Sequence, residues 1–234
     1  MIYPVVILAG GIGSRLGKLT KKIPKALIKV NGKPFIYYQL KLLSKQGIKE
    51  VILCTGHLGD QIKKFVGNGK KFNLSIKYSH EKKLLGTGGA IKNAFPFIKN
   101  NFFIMYGDTY LPINFKKIQD KYIKSKSKAM ITIYNNKKNL DKSNVFLKKK
   151  NIIYNKNIYL KKMAYIEYGL SIFNKNFFKY FCNKKKFDLS DIFSILSKKK
   201  LLNYYIVKKR FYEIGSISGL KDSKNYLKGI YRNK

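Results

Sequence analysis

The sequence predicts an α/β fold, a mostly parallel sheet with helices on both faces, and three observations carry that expectation. Short apolar runs rich in β-branched residues alternate with segments whose apolar residues recur at helical spacing. Two of those runs end directly in glycine-bearing loops, at Gly10-Gly11 and Gly107-Asp108, where open α/β sheets place their ligands. No internal repeat or low-complexity linker breaks the order, so the 234 residues read as one domain with a smaller lobe.

Tyr3 to Ala9 is a buried strand opening into a glycine loop. From Pro34 to Gln46, Phe35, Tyr38, Leu42 and Leu43 share a helix face, and Gly47 supplies the stop. Val51 to Thr55 is a second buried strand, Leu58 to Val66 a helix, and Leu74 to Tyr78 a strand. Gly88 to Ala94 opens a further helix, Phe102 to Tyr106 is a strand, and Phe115 to Tyr122 a helix. The second half is less regular. Ala129 to Tyr134 and Met163 to Phe173 read as strands, and Asn144 to Tyr154 as a hairpin turning near Lys149 to Asn151. Phe177 to Cys182 and Leu189 to Leu196 carry helical patterns, the latter with Asp188 as its N-cap. Tyr204 to Val207 and Phe211 to Ile214 are short strands, and Leu220 to Leu227 is a closing helix.

Fifty Lys and Arg against 11 Asp and Glu give a formal charge of +39. Such a field suits a nucleic acid or an anionic membrane, but no nucleic-acid motif accompanies it. Lysine runs such as Lys148 to Lys150, Lys184 to Lys186 and Lys198 to Lys200 fall at element ends, where solvated lysines are ordinary. The expectation is a protein without a nucleic-acid partner whose field still draws in small polyanions. Cys54 and Cys182 match neither a metal-ligand nor a disulfide spacing and read as buried apolar residues of a reducing compartment. Val5 to Ala9 is too short for a leader and no run reaches bilayer length, so a soluble cytoplasmic protein with no membrane partner is expected. With 18 Tyr and 16 Phe, an exposed aromatic surface would support a homodimer.

The most informative stretch is Leu8-Ala9-Gly10-Gly11-Ile12-Gly13-Ser14-Arg15-Leu16, followed by Leu19-Thr20 and Pro24-Lys25. Glycines after a strand let backbone N–H groups approach phosphate oxygens. The dinucleotide pattern fails, because Leu16 stands where its third glycine belongs, and a Walker loop would end in Gly-Lys-Ser/Thr. What remains is a loop carrying Arg15, then Lys25 held by a proline. Attack of one phosphate on another brings polyanions together, so fixed cations must neutralise the charge building on a leaving group. Arg15 can fork onto terminal phosphates, and Lys25 can act as a point charge near the reacting one.

Gly10-Gly11-Ile12-Gly13-Ser14-Arg15-Leu16 through Leu19-Thr20 to Pro24-Lys25-Ala26-Leu27 closely resembles the signature of sugar-1-phosphate nucleotidyltransferases. That resemblance implies a Rossmann-like three-layer α/β/α fold with a small sugar-binding lobe. Residues 1–125 would mainly bind the nucleotide and 126–234 the sugar phosphate. It further implies nucleotide binding by Leu8, Ala9, Gly10, Gly11, Gly13 and Ser14, with catalysis assisted by Arg15 and Lys25. Leu85-Gly86-Thr87-Gly88-Gly89-Ala90 is similar to a second loop of the family, so Gly86, Thr87 and Gly88 are expected on the nucleoside, at a helix start that favours anionic groups. Asp108 resembles the family's Mg²⁺ ligand, and Glu213, in Tyr212-Glu213-Ile214-Gly215-Ser216, stands where a second metal aspartate is usual. Lys156, Glu167 and Gly169 match positions that face the sugar phosphate. Asp141 to Val145 resembles heptose- or hexose-1-phosphate branches. The resemblance thus implies an enzyme that turns an NTP and a sugar 1-phosphate into an NDP-sugar for cell-surface polysaccharide precursors, with guanine the first guess for the base. A uridylyl- or cytidylyltransferase of another sugar phosphate or phosphocholine, and a non-catalytic polyanion-binding module of the same fold, stay open.

Overall fold

Each apolar run read as a strand forms one, with its ends moved by a residue or two. The computed structural model describes residues 1–137, 140–156 and 161–231, and the side chains of Ser14, Arg15 and Lys18 lie outside that description. The chain runs through β1 (Val5–Leu8), two 3-10 segments (Ser14–Thr20 and Lys25–Leu27), the hairpin β2 (Lys29–Val30) and β3 (Lys33–Pro34), and α1 (Phe35–Lys45). Then follow β4 (Glu50–Thr55), α2 (Gly59–Val66), β5 (Ser75–His80), α3 (Gly86–Asn93), β6 (Asn101–Tyr106), β7 (Thr109–Tyr110) and α4 (Phe115–Lys124). The second half contributes β8 (Ala129–Asn135), β9 (Val145–Lys148), β10 (Asn151–Tyr154), β11 (Tyr165–Asn174), α5 (Lys175–Tyr180), α6 (Leu189–Lys198), β12 (Asn203–Val207), β13 (Tyr212–Glu213) and α7 (Ile217–Tyr231).

The central sheet runs β5-β4-β1-β6-β11-β8-β12, with β9 attached to β11 and β10 to β9. β1 pairs in parallel with both β4 and β6, and β11 runs antiparallel to β6 and β8. The strand order reverses at β1, because β4 lies on one side of it and β6, much later in the chain, on the other. That reversal opens a crevice at the carboxyl ends of β1, β4 and β6.

Period-two alternation sends successive strand residues to opposite layers. Val5 and Ile7 pack with Ile36, Leu40 and Leu43 of α1, Ile62 and Val66 of α2, and Phe115 and Ile118 of α4. Val6 meets Ala90 and Ile91 of α3, Phe178 of α5, and Ile192, Phe193 and Leu196 of α6. Burial on both faces is why these strands read as unbroken apolar runs. A third cluster, Phe35, Tyr38, Leu42, Tyr110, Ile214 and Leu227, seats the small hairpin and α7 beside the sheet. α7 is longer than its apolar pattern predicts. Tyr226 stacks on Tyr212 at 3.7 Å, the Ser223 hydroxyl bonds the Glu213 carbonyl, and Tyr231 packs edge-on to Tyr38 at 5.0 Å, so tertiary contacts hold the helix and carry it past Leu227.

Candidate active site

The carboxyl ends of β1, β4 and β6 border a cavity of about 400 Å³. Leu8, Ala9, Gly10, Gly11 and Gly13 line one wall, Lys25 and Asp108 another, and Gly86, Thr87 and Asp188 the far side. Glycine is required at two positions of the first wall. A Cβ at Gly10 would lie 2.9 Å from Glu81 Oε1 and 3.2 Å from the Gly56 nitrogen, and Gly13 has a positive φ of 71°. Thr20 fastens the loop behind them, its hydroxyl donating to the Gly13 carbonyl at 3.0 Å.

Pro24 is extended and starts the single 3-10 turn that carries Lys25 into the cavity. Lys25 Nζ stands 2.8 Å from Asp108 Oδ2, with side-chain exposures of 15% and 26%. The predicted cation and carboxylate therefore share one cavity. The predicted partner cation Arg15 lies on the segment Ser14–Thr20, but its side chain, like that of Ser14, is outside the described residues.

Glu213 approaches the same place from β13, which pairs with β7 just after Asp108. A Cβ on Gly215 would sit 2.7 Å from Glu213 Oε2, 3.2 Å from Lys25 Nζ and 3.4 Å from Asp108 Oδ2, so these three groups surround one point. Glu213 also accepts hydrogen bonds from the Gly215 N–H and, at 2.5 Å, from the Ser216 hydroxyl, which tie it to the start of α7. Among the described residues no three His, Cys, Asp or Glu side chains gather around one point. Two carboxylates nevertheless fit a hard dication such as Mg²⁺, which takes most of its oxygens from phosphate and water.

Of the sugar-side candidates, Glu167 and Gly169 form a second layer behind the cavity, and Lys156 is exposed. Glu167 lies behind Tyr106, which lines the cavity and whose hydroxyl hydrogen-bonds the carboxylate. The register of β11 against β8 shifts between Glu167 and Ser171, and Gly169, at φ 98°, sits in that irregularity and donates its N–H to Glu167 Oε1 at 2.8 Å. Burial pushes the Glu167 carboxyl up to about 7, against the lowering by the Gly169 N–H, the Tyr106 hydroxyl and the Lys156 charge. The folded form therefore holds this proton more tightly than the unfolded chain. Stability is expected to fall as pH rises from about 4.5 to about 7, by on the order of 3 kcal/mol. Glu167→Gln is expected to lose that slope and to exceed the wild type in thermal stability above pH 7, measured by unfolding at about pH 5 and about pH 7.5.

One expectation is corrected. The start of α3 does not offer free amides to an anion, because the Gly88 and Gly89 N–H groups donate to the Phe187 carbonyl and the Thr87 N–H to Asp188 Oδ1. Gly88 does not line the cavity, since the Phe187 ring covers it and a Cβ there would collide with Phe187 Cε2. Gly86 and Thr87 keep their place on the wall.

Glu81 is the residue that sequence reasoning missed. Its carboxylate lines the cavity between Gly10 and Gly56, and Oε2 accepts the Leu85 N–H at 3.2 Å. Burial raises its pKa. The available signal was an acidic residue, one of 11 in the chain, four positions before the second glycine loop.

With this geometry in place, likeness to known proteins is informative. Residues 4–145 match the family model described as Nucleotidyl transferase. D-glycero-alpha-D-manno-heptose 1-phosphate guanylyltransferase of Campylobacter jejuni is 34% identical over 210 residues, 90% of this chain and 93% of the relative. The protein of the same name from Aneurinibacillus thermoaerophilus is 38% identical over 129 residues, covering 55% of this chain and 56% of that one. Among solved structures, HddC from Yersinia pseudotuberculosis complexed with GMP-PN superposes with a TM-score of 0.79 at 26% identity, over 97% of this chain and 100% of the other.

Proposed function

The chain belongs to the nucleotidyl transferase family, and from that premise we propose its particular substrates, GTP and a heptose 1-phosphate. The broader activity follows from the family and its named relatives: an NTP and a sugar 1-phosphate become an NDP-sugar and pyrophosphate. The observation that carries the assignment is the Lys25–Asp108 pair at 2.8 Å, set at the edge of a glycine-walled cavity at the strand-order reversal. The guanine reading is supported by the carboxylate of Glu81 in that cavity and by the names of the two heptose relatives.

The chemistry asks little of the protein beyond position and charge. An oxygen of the sugar 1-phosphate attacks the α-phosphorus in line, and the bond to the β-phosphate bridging oxygen breaks, its electrons leaving with pyrophosphate. The attacking phosphate is already ionised, so no general base is needed. Lys25 would neutralise charge at the reacting phosphorus, and Arg15 would fork onto the departing phosphates. Lys156, Glu167 and Gly169 would hold the acceptor, with Lys156 as the cation for its phosphate. Asp108 and Glu213 would hold Mg²⁺, which supplies charge neutralisation across the triphosphate oxygens when bound. Buried free thiols at Cys54 and Cys182 suit a reducing cytoplasm, and no helix among the described residues is long and apolar enough to cross a membrane.

Glu213 carries a further prediction. A Cβ at residue 219 would overlap its Oε1, so glycine there makes room for a side chain one methylene longer than aspartate. Gly219→Ala is expected to displace the carboxylate and weaken Mg²⁺ binding by about 10- to 100-fold, although alanine itself favours the helix. Magnesium titration of the folded variant reads this directly, and unchanged affinity would remove Glu213 from the metal site.

The substrate proposal is tested by pyrophosphate release with ATP, CTP, GTP and UTP against a panel of sugar 1-phosphates that includes a heptose. Fastest turnover with GTP and the heptose phosphate is expected. A preference for another base or sugar would refute this choice of substrates and leave the family chemistry intact.

A further inference from the structure

The glycine loop at the start of α3 is held by a segment about a hundred residues away in sequence. Residues 185–188 lie across it, and the contacts run in both directions. The Phe187 N–H donates to the Leu85 carbonyl at 3.0 Å, and the Phe187 carbonyl accepts the Gly88 and Gly89 N–H groups at 3.0 and 3.2 Å. Those are backbone bonds and do not depend on the side chain of Asp188. Asp188 adds the side-chain part of the clamp. Its Oδ1 accepts both the Thr87 N–H at 3.0 Å and the Thr87 hydroxyl at 3.1 Å, and the same hydroxyl accepts the Leu189 N–H at 2.8 Å. Asp188 is itself fixed, because its N–H donates to Asp191 Oδ2 at 3.1 Å at the start of α6. Glycine is required beneath the segment, since a Cβ at Gly86 would lie 2.5 Å from the Phe187 carbonyl oxygen and one at Gly89 2.7 Å from that of Lys185.

Gly86, Thr87 and Asp188 all line the cavity, so the clamp is part of its wall. We propose that Asp188 is a positioning residue for the nucleotide: through Thr87 it fixes the glycine wall against which the nucleoside lies, and so ties nucleotide affinity to the start of α6. This rests on the nucleotidyltransferase reading of the cavity.

Three full-length variants test it: Asp188→Ala, Asp188→Asn and Thr87→Ala. Each is measured with whichever of ATP, CTP, GTP and UTP the wild type uses fastest, for kcat, for KM of both substrates, and by calorimetric binding of the triphosphate alone. Asp188→Ala is expected to raise the triphosphate KM and Kd by about tenfold or more, while kcat and the sugar-phosphate KM stay within about twofold. Asp188→Asn keeps an acceptor at Oδ1 and is expected within about threefold of wild type. Thr87→Ala leaves the Asp188–Asp191 contact in place and is expected to reproduce part of the loss if Asp188→Ala does not fold. A wild-type triphosphate Kd in Asp188→Ala and Thr87→Ala, or a fall in thermal stability and kcat with no change in Kd, would overturn the proposal. Absence of turnover in the wild type would instead count against the enzyme reading, and the Kd comparison would still decide the clamp.

Discussion

Replacing Lys25 with alanine is expected to lower kcat by about 10²- to 10³-fold in a protein that stays folded, the loss that follows removal of one preorganised donor aimed at developing charge. The ammonium sits in the cavity wall, paired with the Asp108 carboxylate at 2.8 Å. The Lys25 side chain is only 15% exposed and alanine removes its packed stem, whereas solvent can take over part of the stabilisation of Asp108, at 26% exposure, so the stability change should be about 1 to 2 kcal/mol. Lys25→Arg is not a conservative rescue, because Nζ is so close to Gly215 that a Cβ there would lie 3.2 Å from it, and a planar fork needs more width than a compact ammonium. Single-turnover pyrophosphate release beside a thermal melt separates the two effects. If the role is charge stabilisation in the transition state, kcat and kcat/KM for the triphosphate fall together; a rise in KM alone would make Lys25 a binding residue.

What the sequence could and could not disclose follows from the range of each signal. β1, β4 and β6 were legible because both their faces are buried, which leaves a run such as Val51 to Thr55 without a polar break. The hairpin β2–β3 and the pair β7–β13 were not all legible, because a two-residue strand has no period, and Thr109 and Glu213 pair only through tertiary structure. The first glycine loop could be read as a unit, since its residues are close in sequence and glycine there answers a local steric need. Gly88, expected on the nucleoside, is covered by the Phe187 ring, and its neighbour Gly89 lies beneath the Lys185 carbonyl, both of them far along the chain and outside the reach of local spacing. Asp188 was legible as a helix cap, and its bond to Thr87 was not, because nothing in local spacing marks a contact of that range.

Glu81→Gln is expected to reduce kcat/KM for GTP by about 10²- to 10³-fold and to narrow the gap between GTP and UTP. Guanine presents two adjacent donors, N1–H and the N2 amine, and a carboxylate can accept both. The Glu81 carboxylate is held in place, because the Leu85 N–H bonds Oε2, and Oε1 lies where a Cβ on Gly10 or Gly56 would meet it at 2.9 or 3.1 Å. Glutamine keeps the shape but turns one acceptor into a donor, which would face a guanine donor at close range. Losing one charge-assisted bond and leaving a buried donor unpaired together cost about 3 to 4 kcal/mol, which is the expected factor. Uracil, with one N–H beside a carbonyl, is the better complement of an amide, so UTP should lose little or improve. Burial already raises the Glu81 pKa, so its neutral form grows as the medium is made acidic, and GTP binding should weaken toward low pH in the wild type and not in Glu81→Gln. The four-nucleotide comparison is decisive here. An equal loss for all four triphosphates would make Glu81 a brace for the Gly10 loop, since the same side chain packs against Gly10, and would return base choice to the backbone.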